Sequence, residues 1–450
     1  MLRFVLMGSA AAVAAATAGS AQPGPAAPRA AMAPAAPAAT AAPFDAKAAV
    51  AEVRRVLAAH YVLPEMRPKL DAALAKALAE GRYDVDDPRL LAERINADLA
   101  AAGHDRHTNF RYAPEQAART ASRPPQADDA PPTADEIRRA QRRNHGLVAL
   151  KLLPGNVRYM DTDGFVWAGP TTAAAYDNAM RFLAGGDAVI IDLRHNGGGS
   201  PDAVQYLVSH FVAPDTPLMT FYMGANPAEK VTALKTLPAG RLVGKPLYVL
   251  TSGRTASAAE EFAGHVGGYR IGELIGEKTA GAGFRNEFFA VPEGFLLSVS
   301  VGRAVLASTG KDWEGVGIAP TTAVPVDRAL DVARLHAMQR LAATAAPEDK
   351  RDLEAMAAAI SAQLDPVATA LPLDAYAGRF GDRTLRVEGG RLTYQRADGP
   401  KLPLVATGPN AFAFEEEPTA RLEFTAAGGA TTGFDLVRGD GTRQAIARTG

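Results

Sequence analysis

The stretch AVIIDL (188–193), followed at once by RHNGGG and then by a helix beginning near Pro201, constrains this chain more than any other feature. A short apolar run bounded by turn residues suits a strand buried on both faces. Asn196 and the three glycines after it let the backbone turn tightly into the helix. The layout recurs at LYVLT (247–251), where the turn leads to a second helix start at Ser257. VRYMDT (157–162), ELIGE (273–277) and FLLSVSV (295–301) read as further strands, with TTAAAYDNAMRFLAGG (171–186) as a helix between the first two strands. Strands alternating with helices predict an α/β core, over residues 146–326.

The flanks have other patterns. Residues 44–120 predict a helical subdomain. Val50, Val53 and Val56/Leu57 recur at helical spacing, and Leu70, Leu74 and Leu78 form a second stripe. Asp87 caps a third helix that has Pro88 in its first turn and carries Leu91, Ile95 and Leu99. Residues 121–145 read as a mobile loop rich in Pro, Asp and Ala, then a helix opened by Thr133 and Glu136 with Arg138, Arg139, Arg142 and Arg143 on a solvated face. Residues 327–371 form a helical connector. Short runs with frequent Gly and Asp turns over 372–450 predict a small antiparallel β domain. At the other end, residues 1–21 carry a basic start, a short apolar run and small residues, the layout of a secretory signal peptide. Residues 22–43, almost all Ala and Pro, form a linker. The mature protein is therefore expected to be exported, periplasmic or secreted, without a stable membrane span. A net charge of −1 gives no electrostatic case for nucleic acid as a partner, and the absence of cysteine excludes disulfides and thiolate zinc sites.

Several loops carry candidate chemistry. In IDLRHNGGGSPDAV (191–204), the glycine amides and the helix start suit an anion or oxyanion cradle, or simply a strand-to-helix turn. No Lys-Ser/Thr pair follows, which disfavours a phosphate loop. In TSGRTASAAE (251–260), Ser257 and Glu260 make the S-x-x-E capping box. A serine there is also placed as a nucleophile, with the free N–H of Ala258 beside it. No G-x-S-x-G elbow is present. AAGHDRHTNF (101–110) holds His104 and His107, each a surface residue, a general base or one end of a weak zinc pattern. KDWEGVGIAP (311–320) places Glu314 before a glycine turn, where a plain surface carboxylate is the common state.

Taken together and in order, DRHT, IDLRHNGGG, TSGRTASAAE, GEKTAGAG and WEGVGIAP resemble the tail-specific, or C-terminal processing, serine peptidase family, in the branch of the tricorn core and the interphotoreceptor retinoid-binding protein. The resemblance spans roughly 44–326. It implies a ClpP/crotonase-like α/β core and peptide or protein substrates, with the oligomeric state left open. It implies Ser257 as nucleophile, Gly198 or Gly199 together with Ala258 as oxyanion donors, His107 as base and Glu314 as its support, with no metal or cofactor. The lysine base of the tail-specific branch falls at Ala282, and Lys278 does not match, so a Ser–Lys dyad is not expected. The helper serine before the histidine is replaced by Arg106. Between Phe110 and Leu147 there is no room for the peptide-binding PDZ module of many members. Two rival readings remain at this point. One is an inactive module binding an apolar, retinoid- or lipid-like ligand. The other is an acyl-thioester enzyme on a crotonase-like scaffold, which gives Ser257 and His107 no role.

Overall fold

The computed structural model describes residues 44–103, 105, 107–122, 131–224 and 227–450. The expected signal peptide and linker, His104, Arg106 and most of the Pro-rich loop lie outside the described residues.

Helices α1 (Ala46–His60), α2 (Arg67–Ala79) and α3 (Pro88–Gly103) bury the expected stripes, with Val50, Val53, Leu70, Leu74, Leu91 and Ile95 nearly inaccessible. Asp45 caps α1 by accepting from the Ala48 N–H (3.0 Å), and Asp87 caps α3 through the Arg89 N–H (2.8 Å). The helices do not close on one another alone. The chain leaves α3 through β1 (Asn109–Tyr112), and their apolar faces share one core with Phe110, Phe295, Leu297 and Val299 of a sheet below. Three short helices cannot cover their own apolar stripes, and this sheet supplies the missing surface.

Two further helices, α4 (Pro114–Ala121) and α5 (Ala134–Arg142), precede the core. The core then runs through β2 (Leu147–Leu153), β3 (Val157–Thr162), α6 (Pro170–Ala184), β4 (Ala188–Asp192), α7 (Pro201–Ser209), β5 (Pro217–Met223), β6 (Glu229–Thr232), β7 (Leu247–Thr251), α8 (Ala258–Tyr269), β8 (Glu273–Gly276), β9 (Phe284–Val291), β10 (Phe295–Leu306) and β11 (Thr322–Ala323). One sheet has the order β11-β8-β7-β4-β3-β2, parallel except for the β2–β3 hairpin. Its central strands β4 and β7 are buried at every residue. Val189 and Ile191 face the cluster that includes α6, α7 and α8, while Ala188 and Ile190 face α9 (Ala329–Ala342) and α10 (Pro347–Leu364). Cover on both faces is why these strands read as continuous apolar runs.

The second sheet, β1-β10-β5-β6 with β9 on the other edge of β10, is antiparallel. It is the part least visible in the sequence, because β1 and β6 are four residues each. In the C-terminal region an eight-stranded antiparallel sheet pairs each strand with its sequence neighbour, around Tyr376, Phe380, Phe412, Phe424 and Phe434. Among the described residues no helix is long and apolar enough to cross a membrane.

Candidate active site

The loops after β4 and β7 lie side by side, because these strands are parallel neighbours with Asp192 opposite Leu250. Loops at the carboxyl ends of adjacent parallel strands make the usual crevice of an α/β sheet. Here they are tied together by hydrogen bonds. The Ser252 hydroxyl donates to Arg194 O (2.6 Å), the Thr255 hydroxyl to Leu193 O (2.8 Å) and the Ala256 N–H to Asn196 O (3.1 Å). Behind them buried Asp192 accepts from the Arg194 guanidinium (2.6 Å) and the Tyr159 hydroxyl (2.7 Å), and the Arg194 contact holds its carboxyl below the ordinary aspartate value despite burial.

This tie presses the glycine turn onto the serine. Gly198 sits at φ +103°, and a Cβ added there would lie 2.7 Å from the Ser257 Cβ and 3.0 Å from the Ala258 nitrogen. Only glycine fits such an approach. The Gly198 N–H donates to Asn196 Oδ1 (2.9 Å), whereas the N–H groups of Gly199 and Ala258 have no hydrogen-bond acceptor among the described residues.

Ser257 has φ +55° and ψ −122°, a backbone state that a non-glycine residue adopts only when its surroundings force it, at about 1–3 kcal/mol. Although the G-x-S-x-G sequence is absent, a strained strand-to-helix turn is present. Glu260 enforces it. Its carboxylate, wholly buried, accepts from the Ser257 N–H (2.9 Å), the Thr279 hydroxyl (2.5 Å), the Gly281 N–H (2.6 Å) and the Ala282 N–H (2.7 Å). The S-x-x-E pattern thus marks a cap, but the same carboxylate also carries the GEKTAGAG loop to the serine. A cavity of about 230 Å³ opens beside Ser257, lined by Gly199, Ala258, Glu261, Ala282, Phe284 and Trp313 among others, and no lysine lines it. Cavities of about 570 and 600 Å³ lie where α10 meets the C-terminal β domain, and no histidine lines either of them.

His107 precedes β1. Asp105 shapes its turn, with Oδ1 accepting from the His107 N–H (2.8 Å) and the Thr108 N–H (3.2 Å), and Oδ2 from the Thr108 hydroxyl (2.7 Å). Burial pulls the imidazole below the ordinary histidine value, opposed by the carboxylates of Asp105 and Glu260. The ring therefore lies in the field of the carboxylate that fixes Ser257. No hydrogen bond joins His107 to Ser257 among the described residues, and His107 Nδ1 is buried without a partner. Glu314 Oε2 accepts from the Gly283 N–H (2.5 Å) and the Phe284 N–H (2.9 Å), which anchors the cavity wall. Buried Tyr61 links the two regions, its hydroxyl raised above the ordinary tyrosine value by burial, by Asp105 and by Glu314.

Two comparisons of sequence bear on this arrangement. Residues 156–324 match the model of peptidase family S41, and residues 44–149 match that of the N-terminal domain of Peptidase_S41 in eukaryotic IRBP. The two matches together span more than half of the chain and both sides of the site. The chain belongs to peptidase family S41. Within it, a carboxyl-terminal-processing protease from Synechocystis sp. is 29% identical over 145 residues, 31% of this chain and 33% of that protein. The S41 chain thus spans about a third of the length of the curated relatives it matches. Among solved structures, a lipoprotein from Streptococcus agalactiae superposes with a TM-score of 0.45 at 14% identity, over 66% of this chain and 98% of that one. The photosystem II D1 C-terminal processing protease gives a TM-score of 0.41 at 17% identity, over 63% and 94%.

Sequence reading missed the wider role of Glu260 as well as Asn196 and Tyr61. The capping pattern signalled the first in part. The others carry no local signal, since what matters is which loop they touch.

Proposed function

We propose that this S41 chain is an exported serine peptidase that cleaves peptide bonds through an acyl-enzyme on Ser257. The observation that carries the reading is the strained backbone of Ser257 at the start of α8, with the free N–H of Ala258 beside it and the glycine turn packed on its Cβ. His107 Nε2 takes the proton from Ser257 Oγ as the oxygen attacks the substrate carbonyl. The developing oxyanion is held by the N–H of Ala258 and by that of Gly199, or of Gly198 once it turns from Asn196. One such donor is worth about 10²–10³ in rate. His107 returns its proton to the leaving amine as the peptide C–N bond breaks. Water then attacks the acyl-enzyme with His107 again as base, releasing the acid and restoring Ser257. Burial supports this role, because it keeps the imidazole neutral and able to accept a proton near pH 7. Glu314 acts by holding the loop at Gly283 and Phe284. The cavity beside Ser257, walled by Phe221, Phe284 and Trp313, accepts one substrate side chain. Export rests on the signal-like residues 1–21.

The test is a fluorophosphonate probe with the adduct mapped by mass spectrometry, on the wild type, Ser257→Ala and His107→Ala. Labelling at Ser257 that slows without His107 is expected. Absence of any adduct, together with saturable uptake of an apolar ligand, would replace the peptidase by the binding module.

A further inference from the structure

Two buried polar atoms near the site lack partners among the described residues: His107 Nδ1 and Ser300 Oγ. They belong to neighbouring strands. β1 pairs antiparallel with β10 so that Asn109 faces Ser298 and Phe110 faces Leu297. The ladder ends at Asn109, and one residue earlier the Thr108 hydroxyl accepts from the Ser300 N–H (3.2 Å), so Ser300 lies beside the turn that carries His107. The face is also defined. Phe110, Leu297 and Val299 point into the helical cluster, so the alternate positions Asn109, Ser298 and Ser300 point the other way, where Ala304 and Leu306 of the same strand join the α/β core. Backbone contacts hold Ser300 in place, its N–H donating to Thr108 Oγ1 (3.2 Å) and its carbonyl accepting from the Val62 N–H (2.7 Å). On its other side Ser300 faces Asn286 of β9, which donates to Ser298 Oγ (2.7 Å) and lines the cavity beside Ser257. The polar row on β10 thus connects the Ser257 cavity with His107.

From this juxtaposition we propose that Ser300 is the positioning residue of His107, its hydroxyl turning to accept a hydrogen bond from Nδ1–H. The inference rests on the reading of His107 as the base. A base that takes a proton at Nε2 must carry its own hydrogen at Nδ1, and an imidazole without an acceptor at Nδ1 loses both tautomer and direction. Ser300 is wholly buried. Joining them would satisfy two buried atoms that otherwise stay without partners, and such pairs of buried orphans are uncommon. Among the described residues, the charged or titratable groups around the ring are Asp105, Glu260 and, beyond Asp105, Tyr61.

Ser300→Ala, Ser300→Thr and Ser300→Val test this, with His107→Gln used to assign the resonances. The full chain, labelled with ¹⁵N-histidine, reports the tautomer and titration of His107 by nitrogen chemical shift. Wild type and Ser300→Thr are expected to hold the Nδ1–H tautomer, and Ser300→Ala and Ser300→Val to lose it. Thr and Val have the same shape, so this pair isolates the hydroxyl even where Ala does not fold. In peptide hydrolysis kcat falls about tenfold or more for Ala and Val with KM little changed, and Thr restores it. Identical His107 shifts and titration in Thr and Val would overturn the proposal whatever the activities. A wild type that neither cleaves peptides nor labels at Ser257 would instead overturn the peptidase reading, while the nitrogen shifts still decide the pair.

Discussion

Gly198→Ala is the substitution that most directly probes the contact between the loops after β4 and β7. A Cβ there would lie 2.7 Å from both Ala256 O and the Ser257 Cβ, against the 3.4 Å at which ordinary contact begins. Something must therefore retreat by about 0.7 Å, the difference of those two distances, and a bonded backbone atom and the Ser257 side chain are what stand in the way. The residue also sits at φ +103°, outside the range an alanine adopts without strain. Strain of about 1–3 kcal/mol and overpacking of a similar size predict a stability loss of about 2–6 kcal/mol. The effect on reactivity is larger in proportion. On the proposed reading of Ser257 as nucleophile, moving it or the Ala258 N–H by that distance predicts a loss of roughly 10²-fold in acylation. Gly197 is the internal control, with nothing within 4 Å of an added Cβ and no positive φ, so Gly197→Ala is expected to stay within about 0.5 kcal/mol of wild type. The assay is the rate of fluorophosphonate labelling and of peptide hydrolysis, at a temperature where circular dichroism finds both variants folded. If Gly198→Ala labels as fast as Gly197→Ala, the glycine turn does not constrain the reacting serine and the reasoning fails.

Other expectations follow from the same geometry. Glu260→Ala leaves four donors, those of Ser257, Thr279, Gly281 and Ala282, without their acceptor; a loss of about 3 kcal/mol or more in urea unfolding is expected, and a loss below about 1 kcal/mol would contradict the account. Glu261 is buried, with His265 3.6 Å away, and burial raises its carboxyl above the ordinary glutamate value of 4.5. Its unfolded form ionises first, so stability present below pH 4.5 is lost as pH rises toward the folded-state value. Glu261→Gln should flatten that fall in denaturant midpoints, and an unchanged pH slope would count against it. For His107 the shift is downward from 6.5, so the acidic limb of kcat/KM is expected below pH 6.5; a limb above 7 would remove His107 as the base. Tyr376 anchors the C-terminal β domain through Asn410 Oδ1 (2.8 Å) and Pro409 O (2.9 Å), and Tyr376→Phe is expected to lower its unfolding midpoint by an amount worth about 1–3 kcal/mol.

Much of the architecture was legible from local pattern. The strand at 188–192 and that at 247–251 are continuous apolar runs because helices cover both faces, and the helix starts at Pro201 and Ala258 follow their turn chemistry. The caps at Asp87 and Thr133 lie within three residues of what they hold. The sheet formed by β1, β5, β6, β9 and β10 was only partly legible, since four-residue strands carry too little periodicity to stand out. At the site, the serine and the glycines could be named from strand–turn–helix layout. Asn196, Tyr61 and Ser300 could not, for an asparagine in a turn, a tyrosine at a helix end and a serine in a strand are ordinary residues until their neighbours are known.

By itself the sequence determined where strands and helices begin, which of their faces are apolar, and which turns demand glycine. These follow from interactions spanning a few residues, where backbone geometry leaves little choice. Only tertiary structure decided that the turn at Gly198 presses on the Cβ of Ser257, that one carboxylate at Glu260 gathers the loop at 279–282, and that Ser300 of β10 bonds to Thr108 beside His107. Such meetings depend on strand order and register, which no short stretch of sequence carries.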